Sequence, residues 1–192
     1  GLIISISVLG KTVLEKVAYR DGAKENDLLL VTGDLGSSYL GLQVLEREKG
    51  VFNENPNIQP KLDGYDDLIK KQLQPIARQD VISLFKEMSF IPTAMIDISD
   101  GLASEVLHLS KSSQCSFSVY SHKLPITEKS ILTSQELGLD PFVCALNGGE
   151  DYELLFTASQ DDYNKVKNNP NFTIIGFASD ASNENLLIDK ND

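Results

Sequence analysis

The sequence is poor in the residues that build several common kinds of functional site. It has only two cysteines, Cys115 and Cys144, and two histidines among 192 residues. Two cysteines make neither a disulfide framework nor a cysteine-rich zinc site. We find no Ser/His/Asp order and no histidine cluster that would indicate hydrolase chemistry. This cysteine usage fits a reducing setting, and we predict a cytoplasmic location.

Positive charge is also scarce. The chain has 17 Lys and Arg against 28 Asp and Glu, which gives a net charge of −11. Proteins that bind nucleic-acid phosphates or anionic membranes need clusters of Lys and Arg. No apolar run reaches the length of about 18 residues that a membrane helix needs, and no basic segment typical of a signal peptide opens the chain. We therefore predict neither a nucleic-acid partner nor a membrane partner.

The length and the apolar content predict one full domain with a remnant of a second. Hydrophobic residues make up 41% of the chain, which is enough for a substantial core. Residues 2–8 alternate like a strand with one fully apolar face. We expect this strand to be the last of an N-terminal domain that is missing here, so that residues 1–24 form that strand and a linker. Residues 25–192 then form a C-terminal α/β domain.

Strand-like and helix-like patterns alternate along the rest of the chain. The predicted strands are residues 27–32, 93–97, 116–120, 153–158, 172–177 and 186–188, with a further short extended piece at 16–20. The predicted helices are a segment that follows residue 36 and ends at about 49, then 65–74, 79–88, 102–111, 127–137 and 161–166, with residues 51–64 irregular. This order is typical of an α/β (α+β) fold with helices packed on a sheet.

The first candidate site follows a predicted strand. Asp97 ends the strand, Ser99 and Asp100 lie in the loop, and Gly101 precedes a helix. Such oxygen groups suit Mg²⁺, which typically takes one or two carboxylates together with substrate phosphates. The helix N-terminus can add backbone N–H donors to a phosphate. Helix capping by Ser99 or Asp100 explains the same residues equally well. An EF-hand is excluded, since His108 occupies the position where that loop needs glutamate.

Two further loops are candidates. Residues 147–153 read Asn-Gly-Gly-Glu-Asp-Tyr-Glu, where the glycines allow a close backbone approach and the three acidic groups need a cation or a donor. The alternative is a solvated turn. Residues 32–36 read Thr-Gly-Asp-Leu-Gly before a helix, which is neither a Walker loop nor a dinucleotide fingerprint. A tight strand–helix turn explains them as well. His108 and Cys144 are expected to be structural, Cys144 as a small buried apolar residue.

Four stretches together resemble the thiamine-monophosphate kinase family. They are residues 19–24 (Tyr-Arg-Asp-Gly-Ala-Lys), 31–36 (Val-Thr-Gly-Asp-Leu-Gly), 95–102 (Met-Ile-Asp-Ile-Ser-Asp-Gly-Leu) and 145–157 (Ala-Leu-Asn-Gly-Gly-Glu-Asp-Tyr-Glu-Leu-Leu-Phe-Thr). The first two are shared with the wider aminoimidazole-ribonucleotide-synthetase-like superfamily. The Gly-Gly-Glu-Asp-Tyr-Glu-Leu run favours the thiamine family over its relatives there, the hydrogenase maturation factor and selenophosphate synthetase. The resemblance implies the C-terminal domain of that fold, a mixed sheet with helices packed on it.

The resemblance also implies an activity and a set of site residues. The activity is the ATP- and Mg²⁺-dependent phosphorylation of thiamine monophosphate to thiamine diphosphate by direct in-line transfer, without a protein nucleophile. By resemblance, Asp97 and Asp100 are Mg²⁺ ligands, Arg20 and Ser99 contact ATP, and Glu150 contacts the thiamine-phosphate substrate. Members of the family resemble two-domain homodimers that join through the N-terminal domain.

The chain departs from the family pattern at both ends. It lacks the aspartate-rich metal cluster that the family carries before the position of Leu2, and the C-terminal aromatic residue that contacts substrate. We therefore expect this chain to fold but not to turn over alone. Two alternatives stay open: a non-catalytic module that binds a nucleotide or a partner, and a related superfamily enzyme with another phosphate acceptor.

Overall fold

A mixed six-stranded sheet forms the centre of the structure, a computed structural model that describes residues 1–190. The strands are β1 (Leu28–Thr32), β2 (Met95–Asp97), β3 (Ser116–Tyr120), β4 (Leu154–Ala158), β5 (Phe172–Ser179) and β6 (Leu186–Ile188). Their order in the sheet is β2-β4-β1-β5-β3-β6. All neighbouring strands are antiparallel except β3 and β6, which are parallel.

Helices pack on both faces of this sheet. They are α1 (Ser37–Glu54), α2 (Asp66–Leu73), α3 (Gln79–Glu87), α4 (Leu102–Ser113), α5 (Glu128–Glu136), α6 (Pro141–Asn147) and α7 (Tyr163–Val166). Helix α4 packs on one face, where Leu109 joins a core cluster with Val31 of β1. Helix α3 packs on the other face, where Phe85 joins Leu30. The predicted α/β (α+β) class, with helices on a mixed sheet, is confirmed.

Strand β1 shows why its sequence is apolar throughout. Leu29, Leu30 and Val31 are each fully buried. Because successive side chains of a strand point to opposite faces, Leu29 and Val31 enter one core cluster and Leu30 the other. A strand with helices on both sides needs no polar face, as the continuous apolar run predicted.

Most predicted elements form within a few residues of their expected ends, but one helix end was misplaced and one helix was not predicted. The predicted end of the first helix at about residue 49 is wrong, since α1 continues through Gly50 to Glu54, so that residues 51–54 are helical and not irregular. A glycine inside an exposed helix costs only about 1 kcal/mol, which is too little to end it. Helix α6 was not predicted, although Asp140 followed by Pro141 is a typical helix start.

The strand predicted at residues 2–8 depends on a neighbour from an N-terminal domain and stays a prediction. No strand is assigned there among the described residues, and Leu2, Ile4 and Val8 are 87%, 74% and 85% exposed. A strand forms only when its backbone groups pair with a neighbour, and these residues have none within residues 1–190. Whether they pair with an N-terminal domain stays a prediction.

The extended piece predicted at residues 16–20 is replaced in part by a 3₁₀ turn at Leu14–Lys16. The chain then runs beside the edge strand β2, where the backbone N–H of Met95 donates to the carbonyl of Tyr19 at 2.8 Å. This contact brings Arg20 to the edge of the sheet. None of the helices that the structure describes is long and apolar enough to cross a membrane.

Candidate functional site

The loop that follows β2 and the loop that precedes β4 lie side by side. Three backbone hydrogen bonds of 2.8 Å join them: Ile98 N–H to Glu153 O, Tyr152 N–H to Ile98 O, and Glu150 N–H to Ser99 O. The bonds extend the antiparallel pairing of β2 with β4 beyond the last strand residues. The first two candidate motifs of the sequence therefore form one surface at one edge of the sheet.

Two glycines allow this close approach. A Cβ added to Gly149 would lie 2.6 Å from the carbonyl oxygen of Ser99, and one added to Gly101 would lie 2.6 Å from the carbonyl oxygen of Leu146. Both glycines also have positive φ angles, +71° and +114°. Any larger residue would be strained at either position and would push the loops apart.

The carboxylates of Asp97 and Asp100 are accessible at this edge. Asp97 keeps 50% of its side chain exposed and lies 3.9 Å from the guanidinium of Arg20, and both residues line a cavity of about 350 Å³. Because both partners are well exposed, solvent screens this attraction strongly. Asp100 is also exposed. The side chains are thus free to bind a ligand from solvent.

Tyr152 interacts with the acidic side chains of Glu150, Asp97 and Asp100. Its hydroxyl donates to Glu150 Oε2 at 3.1 Å. Partial burial raises the pKa of the Tyr152 phenol, and the charges of Glu150, Asp97 and Asp100 raise it further. The Asp97–Asp100 loop and Glu150 therefore share one electrostatic environment.

Capping does not explain the residues of the first loop. Helix α4 begins after Gly101 without a side-chain cap, so neither Ser99 nor Asp100 caps it. Instead, Glu105 in the first turn of α4 reaches back, and its Oε1 accepts from the backbone N–H of Asp100 at 3.2 Å. Glu105 is 2% exposed, and its Oε2 has no hydrogen-bond partner among the described residues. The loop is thus held by its backbone, which leaves its acidic side chains available.

An ionic cluster centred on the buried Glu153 lies behind the loop of residues 147–153, which we call the second loop. The carboxylate of Glu153, 5% exposed, accepts from the Thr32 hydroxyl at 2.6 Å and from Lys71 Nζ at 3.0 Å, and it also pairs with Arg78. Burial lowers the pKa of Lys71, but the carboxylates of Asp34 and Glu153 outweigh this effect and raise it. The cluster neutralises charges that would otherwise be costly to bury.

Asp151 is the second buried acid of this loop. It is 6% exposed and accepts from the backbone N–H of Gly36 at 2.8 Å and of Ser38 at 3.3 Å, at the start of α1. Burial raises the pKa of Asp151 to about 6, because the two hydrogen bonds only partly offset the loss of water. A solvated turn therefore describes Asn147 and Glu150 but not the two buried acids.

The third candidate motif, residues 32–36, forms a tight strand–helix turn. A Cβ on Gly33 would lie 2.1 Å from the Glu153 carboxylate, and one on Gly36 would lie 2.9 Å from the Ala145 nitrogen. Asp34 pairs with Lys71 Nζ at 2.6 Å and does not reach the exposed acidic edge. The turn supports the second loop from behind. Of the residues expected to be structural, Cys144 is buried, at 2% exposed, and His108 is exposed.

All five residues that the sequence singled out lie on or beside one edge of the sheet. Arg20 and Asp97 line one cavity, Ser99 bonds to the Glu150 backbone, and Asp100 lies next to Ser99. Sequence reasoning gave no role to the half-buried Lys71 and Arg78 or to the buried Asp151 and Glu153. The sequence feature that could have indicated them is the presence of three acidic residues within residues 150–153, of which only Glu150 was given a role.

The donor set at this edge fits a hydrated Mg²⁺. Its acidic side chains offer the hard oxygen atoms that Mg²⁺ prefers, and Arg20 is the cation paired with Asp97. Within residues 1–190, no group of three or more His, Cys, Asp or Glu side chains is arranged to hold a metal alone. The remaining ligands would have to be water and phosphate oxygens, as Mg²⁺ usually takes them.

Comparison with known proteins confirms the resemblance drawn from the sequence. The chain is 35% identical to the thiamine-monophosphate kinase of Aquifex aeolicus over 161 residues, which cover 84% of this chain and 48% of that protein. A solved structure of AaThiL complexed with AMPPCP and TMP superposes with a TM-score of 0.73 at 30% identity, over 91% of this chain and 51% of that one. The chain thus spans about half the length of the relatives it matches.

A more distant likeness concerns the fold alone. The hydrogenase maturation protein HypE superposes with a TM-score of 0.62 at 18% identity, over 89% of this chain and 50% of that one. Both structures support the predicted C-terminal domain of the aminoimidazole-ribonucleotide-synthetase-like fold. No protein-family model matches the chain.

Proposed function

We propose that this chain, a relative of the thiamine-monophosphate kinases over about half their length, takes part in the ATP-dependent phosphorylation of thiamine monophosphate to thiamine diphosphate. One observation carries the proposal. The backbone bonds between Ile98, Ser99, Glu150 and Tyr152 bring the two most specific motifs of the chain to one exposed acidic edge. The relative solved with AMPPCP and TMP supports both substrates for this chain.

Asp97 and Asp100 are the proposed Mg²⁺ ligands. They are exposed carboxylates on a loop whose backbone is fixed by Glu105 and by the neighbouring loop. When bound, Mg²⁺ supplies positive charge that offsets the polyphosphate of the nucleotide. The proposed cation would offset the repulsion between this acidic edge and a phosphate substrate, in addition to the charge of Arg20.

Arg20 and Ser99 are the proposed ATP contacts, and Glu150 is the proposed contact to the thiamine-phosphate substrate. Arg20 is 60% exposed and can turn its guanidinium from Asp97 to a phosphate group, which it binds with planar, paired hydrogen bonds. Ser99 lies between the two proposed metal ligands. Glu150 is exposed, with Tyr152 donating a hydrogen bond to one of its oxygens.

Transfer is proposed to be direct and in-line, without a covalent protein intermediate. Phosphoryl transfer through a loose transition state depends on alignment and on neutralisation of charge more than on a protein nucleophile. The two cysteines of the chain are buried, and burial raises the pKa of each thiol. Their burial and raised pKa values make both unsuitable as nucleophiles.

The wider assembly follows from the same resemblance. We propose that the full-length protein is a cytoplasmic homodimer that joins through an N-terminal domain, and that residues 1–192 alone are inactive. Sedimentation of the full-length protein and a turnover assay on this chain test the two statements. A monomer at micromolar concentration contradicts the first, and turnover by this chain alone contradicts the second.

The decisive experiment compares Asp97→Asn with the wild type in the full-length protein. We expect the affinity for ATP in the presence of Mg²⁺, measured by calorimetric titration, to fall at least about tenfold, or ~1.4 kcal/mol. Turnover of thiamine monophosphate should fall with it. Asp161→Asn is the matched control, since Asp161 is an exposed aspartate beyond the opposite end of β4. Unchanged affinity and unchanged turnover in Asp97→Asn would remove the metal-ligand role.

The same assay separates the remaining alternatives. A non-catalytic module would bind nucleotide but transfer no phosphate to any acceptor. A superfamily enzyme with another acceptor would hydrolyse or transfer from ATP but leave thiamine monophosphate unchanged in a screen of phosphate monoesters. Only the thiamine kinase converts both substrates in a ratio of one to one.

A further inference from the structure

The second loop alternates between buried and outward-facing acidic residues. Asp151 and Glu153 are 6% and 5% exposed and point toward α1 and β1, whereas Glu150 is exposed and Tyr152 is half-buried beside it. Glu150 and Tyr152 both have left-handed backbones, with φ angles of +62° and +50°. Non-glycine residues adopt this conformation rarely, and they keep it only where surrounding contacts impose it.

Asp151 lies between these two residues in the chain, and its side chain anchors the segment to helix α1. Its Oδ2 accepts from Gly36 N–H at 2.8 Å and its Oδ1 accepts from Ser38 N–H at 3.3 Å. Helix α1 has no side-chain cap of its own, since its first flanking residue is Gly36. Asp151 therefore supplies the cap from a part of the chain more than 110 residues away, where a carboxylate is also favoured by the helix dipole.

The cap and the strain have a joint consequence for the site. With its carboxylate fixed on α1, Asp151 cannot rotate, and the residues on either side must turn their side chains away from the core. Both side chains therefore point to the acidic edge. There the Tyr152 hydroxyl donates to Glu150 and interacts electrostatically with Asp97 and Asp100. The anchoring of one side chain thus determines where two others point.

We propose that Asp151 is a positioning residue, which holds Glu150 and Tyr152 toward the Asp97–Asp100 loop. The inference rests on the proposed function, because it assumes that Glu150 contacts the phosphate acceptor. Asp151 itself touches no reacting atom, as it is buried against backbone N–H groups. A competing explanation is that Asp151 serves only to stabilise α1.

Hydrogen exchange separates these explanations without any activity. The amides of Glu150 and Tyr152 donate to Ser99 O and Ile98 O at 2.8 Å, so their exchange rates report the position of the second loop. In Asp151→Asn, which keeps the shape and one acceptor oxygen, we expect exchange at these two amides to accelerate about tenfold or more. If only the amides of Gly36 and Ser38 accelerate, Asp151 is merely a helix cap and the proposal is overturned.

Asp140→Asn is the matched control. Asp140 also caps a helix, accepting from Phe142 N–H at 2.7 Å and Val143 N–H at 3.2 Å, but it lies at the far end of α6 from the second loop. Exchange at Glu150 and Tyr152 should stay within about twofold of the wild type in this variant. Equal acceleration in both variants would show a general loss of stability and would count against positioning.

Kinetics of the full-length protein give the second measurement. We expect Asp151→Asn to raise KM for thiamine monophosphate about tenfold and to leave KM for ATP within about twofold, because Glu105 holds the Asp97–Asp100 loop independently of the second loop. An unchanged KM for the acceptor overturns the proposal. The proposed function fails separately, if the wild type does not phosphorylate thiamine monophosphate or if Glu150→Gln leaves KM for the acceptor unchanged.

Discussion

The contact between the two site loops predicts that Gly149→Ala is more damaging than the same substitution at an exposed glycine with a left-handed backbone. Gly149 has φ +71°, and an added Cβ would lie 2.6 Å from Ser99 O and 3.1 Å from the carbonyl carbon of Asp100. Both atoms belong to backbone that is fixed by hydrogen bonds, so they cannot move as the end of a flexible side chain can. The methyl group therefore has to displace the loop that carries the proposed metal ligands.

Two separate effects determine how much Gly149→Ala lowers the free energy of unfolding. A second glycine in the chain serves as a control for one of them. A left-handed backbone costs an L-residue about 1–2 kcal/mol, and overpacking adds about 1–3 kcal/mol. Gly138 has nearly the same φ, +68°, but a Cβ there would meet nothing within 4 Å. Gly138→Ala should thus lower the free energy of unfolding by about 1–2 kcal/mol, and Gly149→Ala by about 2–5 kcal/mol.

Urea denaturation of the chain, followed by circular dichroism, measures both values. The difference between the two variants isolates the close approach of the loops, provided that the dependence on denaturant concentration is unchanged. In the full-length protein, Gly149→Ala should also weaken binding of ATP with Mg²⁺, whereas Gly138→Ala should not. Equal destabilisation by the two substitutions would refute the claim that the loops are in tight backbone contact.

Two predictions concern the buried acids behind the site. Glu153→Ala should lower the free energy of unfolding by about 2–3 kcal/mol, because it leaves the buried Thr32 hydroxyl without an acceptor and removes one partner each from Lys71 and Arg78, which keep Asp34 and Asp80. Glu136→Ala, which breaks an exposed arginine pair, should cost less than about 1 kcal/mol. Similar losses in denaturant unfolding would contradict this. Burial raises the pKa of Asp151 from the ordinary 3.8 to about 6 in the folded chain. As pH rises, Asp151 therefore loses its proton at a lower pH in the unfolded chain than in the folded chain. Stability falls as pH rises from the unfolded pKa through the folded pKa. Between pH 5 and 7 the wild type should therefore lose about 1 kcal/mol relative to Asp151→Asn in denaturant unfolding, and a constant difference or a gain would contradict the sign.

Local patterns were enough for most of the fold. The apolar run of β1 predicted a strand buried on both faces, and Leu30 and Val31 are indeed buried in opposite core clusters. Periodicity also predicted α3, where Val81 and Phe85 enter the core. These predictions succeed because burial of one face imposes a period that the sequence must carry.

Predictions that depend on neighbours outside the segment cannot be made from a local pattern alone. Residues 2–8 have the alternation of a strand, yet pairing needs a second strand that the pattern does not supply. A glycine often ends a helix, which led to the predicted end of α1 at Gly50. The contacts of the rest of the helix outweigh the small cost of this glycine, so the helix continues to Glu54. Propensity is a weak preference that packing overrides.

The sequence by itself determined the order of the motifs, the class of the fold and the acidic groups from which a site could be built. Only the tertiary structure decided which acids face solvent and which are buried, and it did so within the four residues 150–153. Asp151 and Glu153 find their partners 115 and 121 positions away along the chain, at Gly36 and Thr32. A carboxylate is stable in the interior only when such donors meet it, and no local pattern records where distant donors will lie.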